Sequence, residues 1–584
     1  MSWMLPLPVL LPLFGAGLAL AAGRRPRVQQ LISLVVLIAV LVVGVGLALG
    51  ARNGPVVLDV GNWSAPVGIT LVADRLAALM LVISQIVTLG VHAYSIAQNL
   101  ADEDPDVPIA IYHPTYLVLT AGVSNAFLTG DLFNLYVGFE ILLTASFVLI
   151  TIGGTRTRTR AGTVYVVVSM LSSVVFLIGI ALAYAATGTL NIALLAVRFQ
   201  QIDPSVAGII QFILLVAFAI KAAVFPLAAW LPHSYPTAPA PVTAVFAGLL
   251  TKVGIYSIIR LEVVLFPNQN VSDLLTVVGI LTMIVGILGA VAQDDIRRLL
   301  SYTLVSHIGF LLWGLALGNK AGLAAVIFYA IHHILVQTTL FLLLGLVERH
   351  EGSTSMRTLG GLIRTHPMLA GMFLIAGLNL VGIPPFTGFI GKLGLAQASV
   401  LNGHWEGYVL LAFGMLTSFL TLYVIVKVWN LAFWQPRGDT ATTDTELKGK
   451  AITRRQRALR RYMQYADTIA DRDTRLLTAS RTRRERESSG ASKLMYASGW
   501  ALLGVMFAMT IGAGPLYHYA TNAASDQIDA RAYVRAVLGD EGRGAGSSNV
   551  PKPGAHSREG STPNGPVRGA GAAATHSMEG SAHE

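Results

Sequence analysis

No cysteine occurs anywhere in the 584 residues. That absence excludes a disulfide, a thiolate nucleophile, a Cys-ligated iron–sulfur cluster and a zinc ribbon, and leaves any redox chemistry to other molecules. Charge is also scarce. Only 12% of the residues are Asp, Glu, Lys or Arg and 54% are hydrophobic, where an ordinary soluble domain carries about 25% charged residues. A bilayer is the solvent that suits this composition. The net charge of +10 does not imply nucleic acid, because fifteen of the Lys and Arg residues fall in one stretch, 435–494, beside a membrane span. Such placement indicates charge at a membrane surface.

Apolar runs of about 20 residues, enough to cross roughly 30 Å of hydrocarbon, recur along the chain. Spans are expected near 5–22, 29–51, 74–98, 111–129, 132–152, 163–186, 205–232, 240–264, 273–293, 298–318, 323–347, 368–400, 407–434 and 495–518, fourteen in all. The first is read as a span and not as a cleaved signal. Loop charge sets the orientation. One side holds Arg24, Arg25, Arg27, Arg156, Arg158, Arg160, Arg297, Arg298, Arg349, Arg357 and Arg364, and the other holds only Arg52, Arg198, Arg260 and Lys320. The first set is expected to be cytoplasmic, with both termini outside. The acidic stretch AlaAspGluAspProAsp at 101–106 dissents, although acidic residues weigh little in this rule.

Two spans are too long and carry internal proline. Pro226, in IleLysAlaAlaValPhePro at 220–226, has no N–H for the carbonyl of Ala222, and two successive donors are missing in GlyIleProPro at 382–385. Broken helices are expected in spans 7 and 12, at matching places in spans 4–8 and 9–13, the hydropathy signature of an internal repeat with a site at the breaks. The expected fold is an all-α polytopic membrane protein with two inverted five-helix repeats. Its segments are an N-terminal three-span part (1–110), the repeats (111–265 and 266–434), a basic cytoplasmic loop (435–494), a last helix (495–518) and an external, largely disordered tail (519–584). The loop carries a net charge of about +7 and includes ArgArgGlnArgAlaLeuArgArgTyrMet at 454–463. It reads either as a helix lying on anionic lipid or as a disordered segment. Residues 541–584 are rich in Gly, Ala, Ser and Pro, a composition that resists packing.

The chain has 32 arginines and nine lysines, yet no arginine falls deeper in a span than a helix end, while Lys221, Lys252, Lys392 and Lys427 fall inside. An ionisable group at the bilayer centre costs about 2.5–3.5 kcal/mol on insertion scales, so such groups mark ion or proton pathways. A buried lysine can lose its proton, whereas an arginine effectively cannot. Glu140, in GlyAspLeuPheAsnLeuTyrValGlyPheGluIleLeuLeu at 130–143, is read as the one carboxylate well inside a span, with a buried lysine as its natural partner. A static ion pair between helices is the alternative. Lys427 lies near a helix end, where snorkelling explains it. His307, His332 and His333 suit a relay between lysines, or are neutral histidines bonded to backbone. The pair Gly391-Lys392 is not a phosphate loop, which needs glycine at Phe386 and Ser or Thr at Leu393. No metal-binding HisGluXaaXaaHis pattern occurs, and no metal or cofactor is expected.

These segments resemble the large antiporter-like subunits shared by Mrp antiporters and the membrane arm of respiratory complex I. The resemblance runs from about residue 70 to 434. It rests on the stretch around Glu140, AlaPheAlaIleLysAlaAlaValPheProLeu at 217–227, TrpLeuProHisSerTyrProThrAlaProAlaProValThrAla at 230–244, AspIleArgArgLeuLeuSerTyrThrLeuValSerHisIleGly at 295–309, and ProProPheThrGlyPheIleGlyLys at 384–392. It implies that Glu140 and Lys221 form the ion pair of one half-channel, and that Lys252, His333 and Lys392 continue a polar axis. AspLeuPheAsnLeuTyr at 131–136, AspAlaArgAlaTyrValArgAlaValLeuGly at 529–539 and the lysine at 392 look most like the Mrp D-type subunits. Gln337 stands where several relatives have lysine, so a four-lysine relay including that position is not expected.

The resemblance implies a non-enzymatic, proton-translocating subunit of a Na+/H+ antiporter in a bacterial cell membrane. Its partners would be subunits of the A, B, C, E, F and G types and lipid, with H+ and Na+ as the transported ions. A proton-pumping subunit of complex I or of a membrane-bound hydrogenase would use the same lysines. A purely structural scaffold is the third class.

Overall fold

The computed structural model describes residues 1–23, 25–98, 111–267, 271–436 and 489–539. The acidic stretch 101–106, the basic segment 454–463 and the tail 541–584 lie outside the described residues. Within them the chain is almost wholly helical. A small antiparallel hairpin, β1 (Val56–Asp59) and β2 (Thr70–Ala73), pairs Val56 with Ala73 and Asp59 with Thr70.

Three helices open the bundle: α1 (Leu7–Ala21), α2 (Pro26–Gly50) and α3 (Arg75–Gln98). A first set follows, comprising α4 (Tyr112–Leu128), α5 (Leu132–Thr151), α6 (Arg156–Thr187), the short α7 (Ile192–Arg198), α8 (Pro204–Ala222), the short α9 (Trp230–Ser234) and α10 (Ala240–Leu265). The second set is α11 (Ser272–Val291), α12 (Ile296–Ala316), α13 (Lys320–Glu351), α14 (Pro367–Val381), α15 (Thr387–Asn402) and α16 (Trp405–Trp434). The chain ends on α17 (Ser489–Ile511), α18 (Ala513–Ile528) and α19 (Arg531–Leu538).

Among the described residues twelve helices are long and apolar enough to cross a membrane. Two of the fourteen expected spans are not among them. The 17-residue α4 is short for a full crossing, and span 12 is divided into α14 and α15. The last span also closes earlier than expected, at Ile511, and the chain continues as helix through Leu538. Residues 519–538 are therefore ordered helix and not disordered tail, because Ala520, Ala523, Ala524, Gln527 and Tyr533 bury a face against the bundle.

The two sets share local architecture. Asp131 and Asp295 cap α5 and α12, accepting from the backbone N–H groups of Asn134 and Arg298 at 2.8 and 3.1 Å, as short polar side chains do at helix starts. Each also sits in an isolated antiparallel bridge, Asp131 to Asn191 and Asp295 to Ser355. The bonds correspond: Leu132 N–H to Leu190 O and Ile192 N–H to Gly130 O in one set, Ile296 N–H to Thr354 O and Met356 N–H to Asp294 O in the other. Each bridge closes behind a helix of 32 residues, α6 or α13.

Both expected breaks are present. After α8 the chain turns through Ala223 at φ 58° and reaches α9. After α14 it turns through Gly382 at φ 85°, the left-handed conformation that glycine adopts at least cost. Neighbouring backbones come very close at both breaks. A Cβ on Gly254 of α10 would meet Ala222 N at 2.7 Å, and one on Gly388 would meet Asn379 O at 2.0 Å. The core is α10, α12 and α13, which are almost wholly buried, whereas α6 and α16 leave large apolar residues such as Val167, Leu171, Phe419 and Tyr423 exposed. A helix apolar all round belongs in such a core.

Candidate functional site

Glu140, Lys221, Lys252, His307, His332, His333 and Lys392 all lie within helices of the bundle. They form two clusters and one isolated amine.

The first cluster lies between α5, α6 and the end of α8. Lys221, one residue before the last of α8, donates from Nζ to Ser173 Oγ at 2.9 Å and to Ser169 O at 3.4 Å. Its Nζ also lies 5.3 Å from the centre of the Phe139 ring, within cation–π range. Glu140 follows Phe139 on α5, is half-buried, and leaves Oε1 without a hydrogen-bond partner. The expected ion pair is therefore not formed. Glu140 is within electrostatic reach of Lys221, but the ammonium is held by α6.

Lys252 is fully buried on α10 and donates to Ala247 O at 2.6 Å. Ala247 belongs to a π-helical turn, Phe246–Leu250. Such turns loosen the helical ladder and recur at functional sites, and here the carbonyl is turned to a lysine. No carboxylate pairs with this amine among the described residues. Lys252 is within electrostatic reach of His307 and His333.

The second cluster surrounds Tyr329 and Phe310. His307 Nδ1 lies 2.7 Å from Tyr329 OH, and the His307 and His333 rings stack at 5.2 Å between centroids. His332 turns the other way, with Nδ1 2.9 Å from Thr387 Oγ1 at the start of α15. His307 Nε2, His332 Nε2 and both nitrogens of His333 are buried without partners. Lys392 lies 4.7 Å from the centre of the Phe310 ring and donates to Val381 O at 2.8 Å and Ser418 Oγ at 3.1 Å. Val381 is the last residue of α14, so Lys392 occupies a carbonyl freed by the break. Gln337 donates to Leu300 O at 2.8 Å. Among the described residues no group of three or more His, Cys, Asp or Glu gathers to hold a metal.

Several residues escaped the sequence reading. Lys427, read as a helix-end residue, donates to Val291 O and Gln293 O at 3.0 and 2.9 Å and lies 3.9 Å from Asp294. A second half-buried carboxylate, Glu262 in the last turn of α10, accepts from Gln211 Nε2 at 2.6 Å. Arg260 in that turn is 5% exposed and pairs with Asp74 at 2.6 Å. His92 on α3 and His113 on α4 are buried too. Polar residues three or four apart in an apolar run, Gln85, Thr88, His92 and Ser95, were the available signal.

The family model described as the transmembrane part of NADH:quinone oxidoreductase/Mrp antiporter matches residues 129–421, which include both clusters and Lys252. A Na+/H+ antiporter D-type subunit of Alkalihalophilus pseudofirmus is 40% identical over 76% of this chain and 90% of that one. The chain belongs to the D-type subunit family of Mrp Na+/H+ antiporters. A Na+/H+ antiporter D-type subunit of Bacillus subtilis is 35% identical over 74% of this chain and 87% of its own. A chain in the structure of the Mrp complex from a Dietzia species aligns with a TM-score of 0.78 and 32% identity, covering 92% of this chain and all of that one. An archaeal membrane-bound sulfane sulfur reductase has a chain at TM-score 0.75 and 23% identity, with 92% of this chain and 100% of that one covered. That likeness is one of fold.

Proposed function

We propose that this chain is the proton-translocating subunit of a multisubunit Na+/H+ antiporter in a bacterial cell membrane, assembled with subunits of the other Mrp types. The D-type relatives favour this reading over a respiratory-complex subunit using the same lysines. The observation that carries it is the partition of charge. Lys221, Lys252 and Lys392 are each held by backbone carbonyl or hydroxyl oxygens and not by carboxylates.

An ammonium bonded only to neutral oxygens gives up its proton more readily than one locked to a carboxylate. Lys221 moves between two positions, one on Ser173 and Ser169 and one on Glu140. On Glu140 it keeps its proton; on the serines it passes the proton toward Lys252. From Lys252 the proton goes to His333, whose stacked neighbour His307 and adjacent His332 offer alternative acceptors, and then to Lys392. The units 111–265 and 266–434 hold the halves of this path, with both termini outside. A reporter active only in the cytoplasm stays dark when fused after residue 539, and a bright fusion reverses the orientation.

Lys221→Arg tests the central step, since arginine pairs with Glu140 but holds its proton at any workable pH. In everted vesicles carrying the complete complex, this variant assembles at wild-type levels and loses most dye-reported H+ movement. Normal H+ flux through Lys221→Arg defeats the reading.

A further inference from the structure

Among the described residues, buried ring nitrogens left without partners outside the Lys axis lie between α3 and α4. His92 and His113 are 0 and 2% exposed, their ring centroids are 5.3 Å apart, both nitrogens of His113 lack a hydrogen-bond partner, and His92 meets only the Gln30 backbone. Tyr112 beside them is also buried, with its OH toward Ser95. The relay around Tyr329 carries the same signature.

A polar seam leads away from the pair. Tyr116 OH donates to Thr88 O at 2.8 Å, Thr88 Oγ1 to Gln85 O at 3.1 Å, and Gln85 Nε2 to Ser124 Oγ at 3.2 Å. The next residue, Asn125, exchanges amide bonds with Asn134 of α5 at 3.1 and 3.2 Å. The seam therefore runs from the loop-bearing ends of α3 and α4 to the helix that carries Glu140.

We propose that His92 and His113 form a second proton-exchange site, separate from the lysine axis, that takes up and releases one proton at the membrane face bearing the α3–α4 connection. The proposal rests on the reading of this chain as a proton-moving subunit. One imidazole nitrogen accepts a proton from water, the other ring nitrogen of that imidazole or its neighbour releases one, and charge and atoms balance with no redox change. Two imidazolium rings at this spacing repel, so the pair carries one charge at a time. Tyr112 and Tyr116 face it from α4, and Gln30 of α2 turns its backbone to His92. Helix α17 meets α3 with the aliphatic Leu502 at Gly90, and α1 meets α4 at Leu117 through Gly15. Among the described residues no carboxylate, lysine or arginine is ion-paired to either ring.

The test uses the complete complex in everted vesicles, with His92→Ala, His113→Ala and the double variant, and subunit levels checked by native gel. Exchange at saturating Na+ falls at least about tenfold, the apparent KM for Na+ is unchanged, and added imidazole restores the rate while equimolar thiazole does not. Full activity in the assembled double variant overturns the proposal. So does a loss that imidazole fails to rescue, in the Ala variants or in the milder His92→Asn, since packing then explains it. Lys221→Arg in the same vesicles reports separately on the main axis, so failure of one reading is distinguishable from failure of the other.

Discussion

Lys221 Nζ sits 2.9 Å from Ser173 Oγ and makes no ion pair with Glu140, although both acidic and hydroxyl partners lie on helices flanking its own. A hydrogen bond to a charged group is worth about 1.5–3 kcal/mol, comparable to what a half-buried carboxylate offers. Two sites of similar strength make a switch. Ser173→Ala weakens one position, biases Lys221 toward Glu140, and lowers exchange about tenfold in an assembled complex. Glu140→Gln removes the other position and abolishes exchange, while Glu140→Asp keeps part of it. Initial rates of Na+-driven H+ efflux from everted vesicles check both. Equal, near-normal rates in Ser173→Ala and Glu140→Gln mean that the two groups only pack.

The ion pair of Asp74 with Arg260 fastens the C-terminal helices to the bundle. Arg260 donates to Gln527 Oε1 at 2.6 Å and to Tyr256 OH at 3.0 Å, and Gln527 Nε2 donates to Asp74 Oδ2 at 3.0 Å. Both charged side chains are almost fully buried, at 6 and 2% exposure. Breaking such a pair by removing one partner costs about 3–5 kcal/mol, whereas replacing both by apolar residues is often neutral. Asp74→Asn is therefore expected to lower the thermal midpoint of the purified complex and to expose α18 to protease. Asp74→Leu combined with Arg260→Met recovers most of the loss. A double variant no better than Asp74→Asn alone shows that the charges stabilise by more than satisfying each other.

Membrane class and the two breaks were legible because each depends on residue type alone: long apolar runs, and prolines that lack a donor at 226, 384 and 385. The buried lysines were legible for the same reason. Partner choice was not, because whether Lys221 reaches Ser173 or Glu140 depends on how α5, α6 and α8 are rotated against one another. Arg260 was read as a loop charge because span boundaries are uncertain by several residues, and a π-helical turn, Arg260–Leu265, keeps it in the helix. Helices α18 and α19 bury few apolar groups, so their polar composition resembled a tail. Asp526 and Gln527 of α18 bond to Arg75 and Asp74, and Ala520, Ala523, Ala524 and Tyr533 are buried beside them, long-range contacts that no local pattern reveals.

Asp131 supplies a prediction about pH. Its carboxyl is 8% exposed at the start of α5, and burial pushes it up to about 6 from an ordinary 3.8, against the opposing pull of the Asn134 and Phe133 N–H groups. A carboxyl whose folded pKa is raised binds more protons in the folded state than in the unfolded one between those two values. Stability contributed at this site therefore falls as pH rises through that window, and the penalty is complete above about 6. Asparagine caps a helix about as well as aspartate and does not titrate. Asp131→Asn should raise the thermal midpoint of the complex at pH 8, and the gain should shrink on acidification and vanish below about pH 4. Scanning calorimetry of both proteins across pH 4 to 8 measures the difference directly, with no need for absolute stabilities. A variant that unfolds earlier than wild type by the same margin at every pH would show that the anionic cap stabilises α5 and that burial does not penalise its charge.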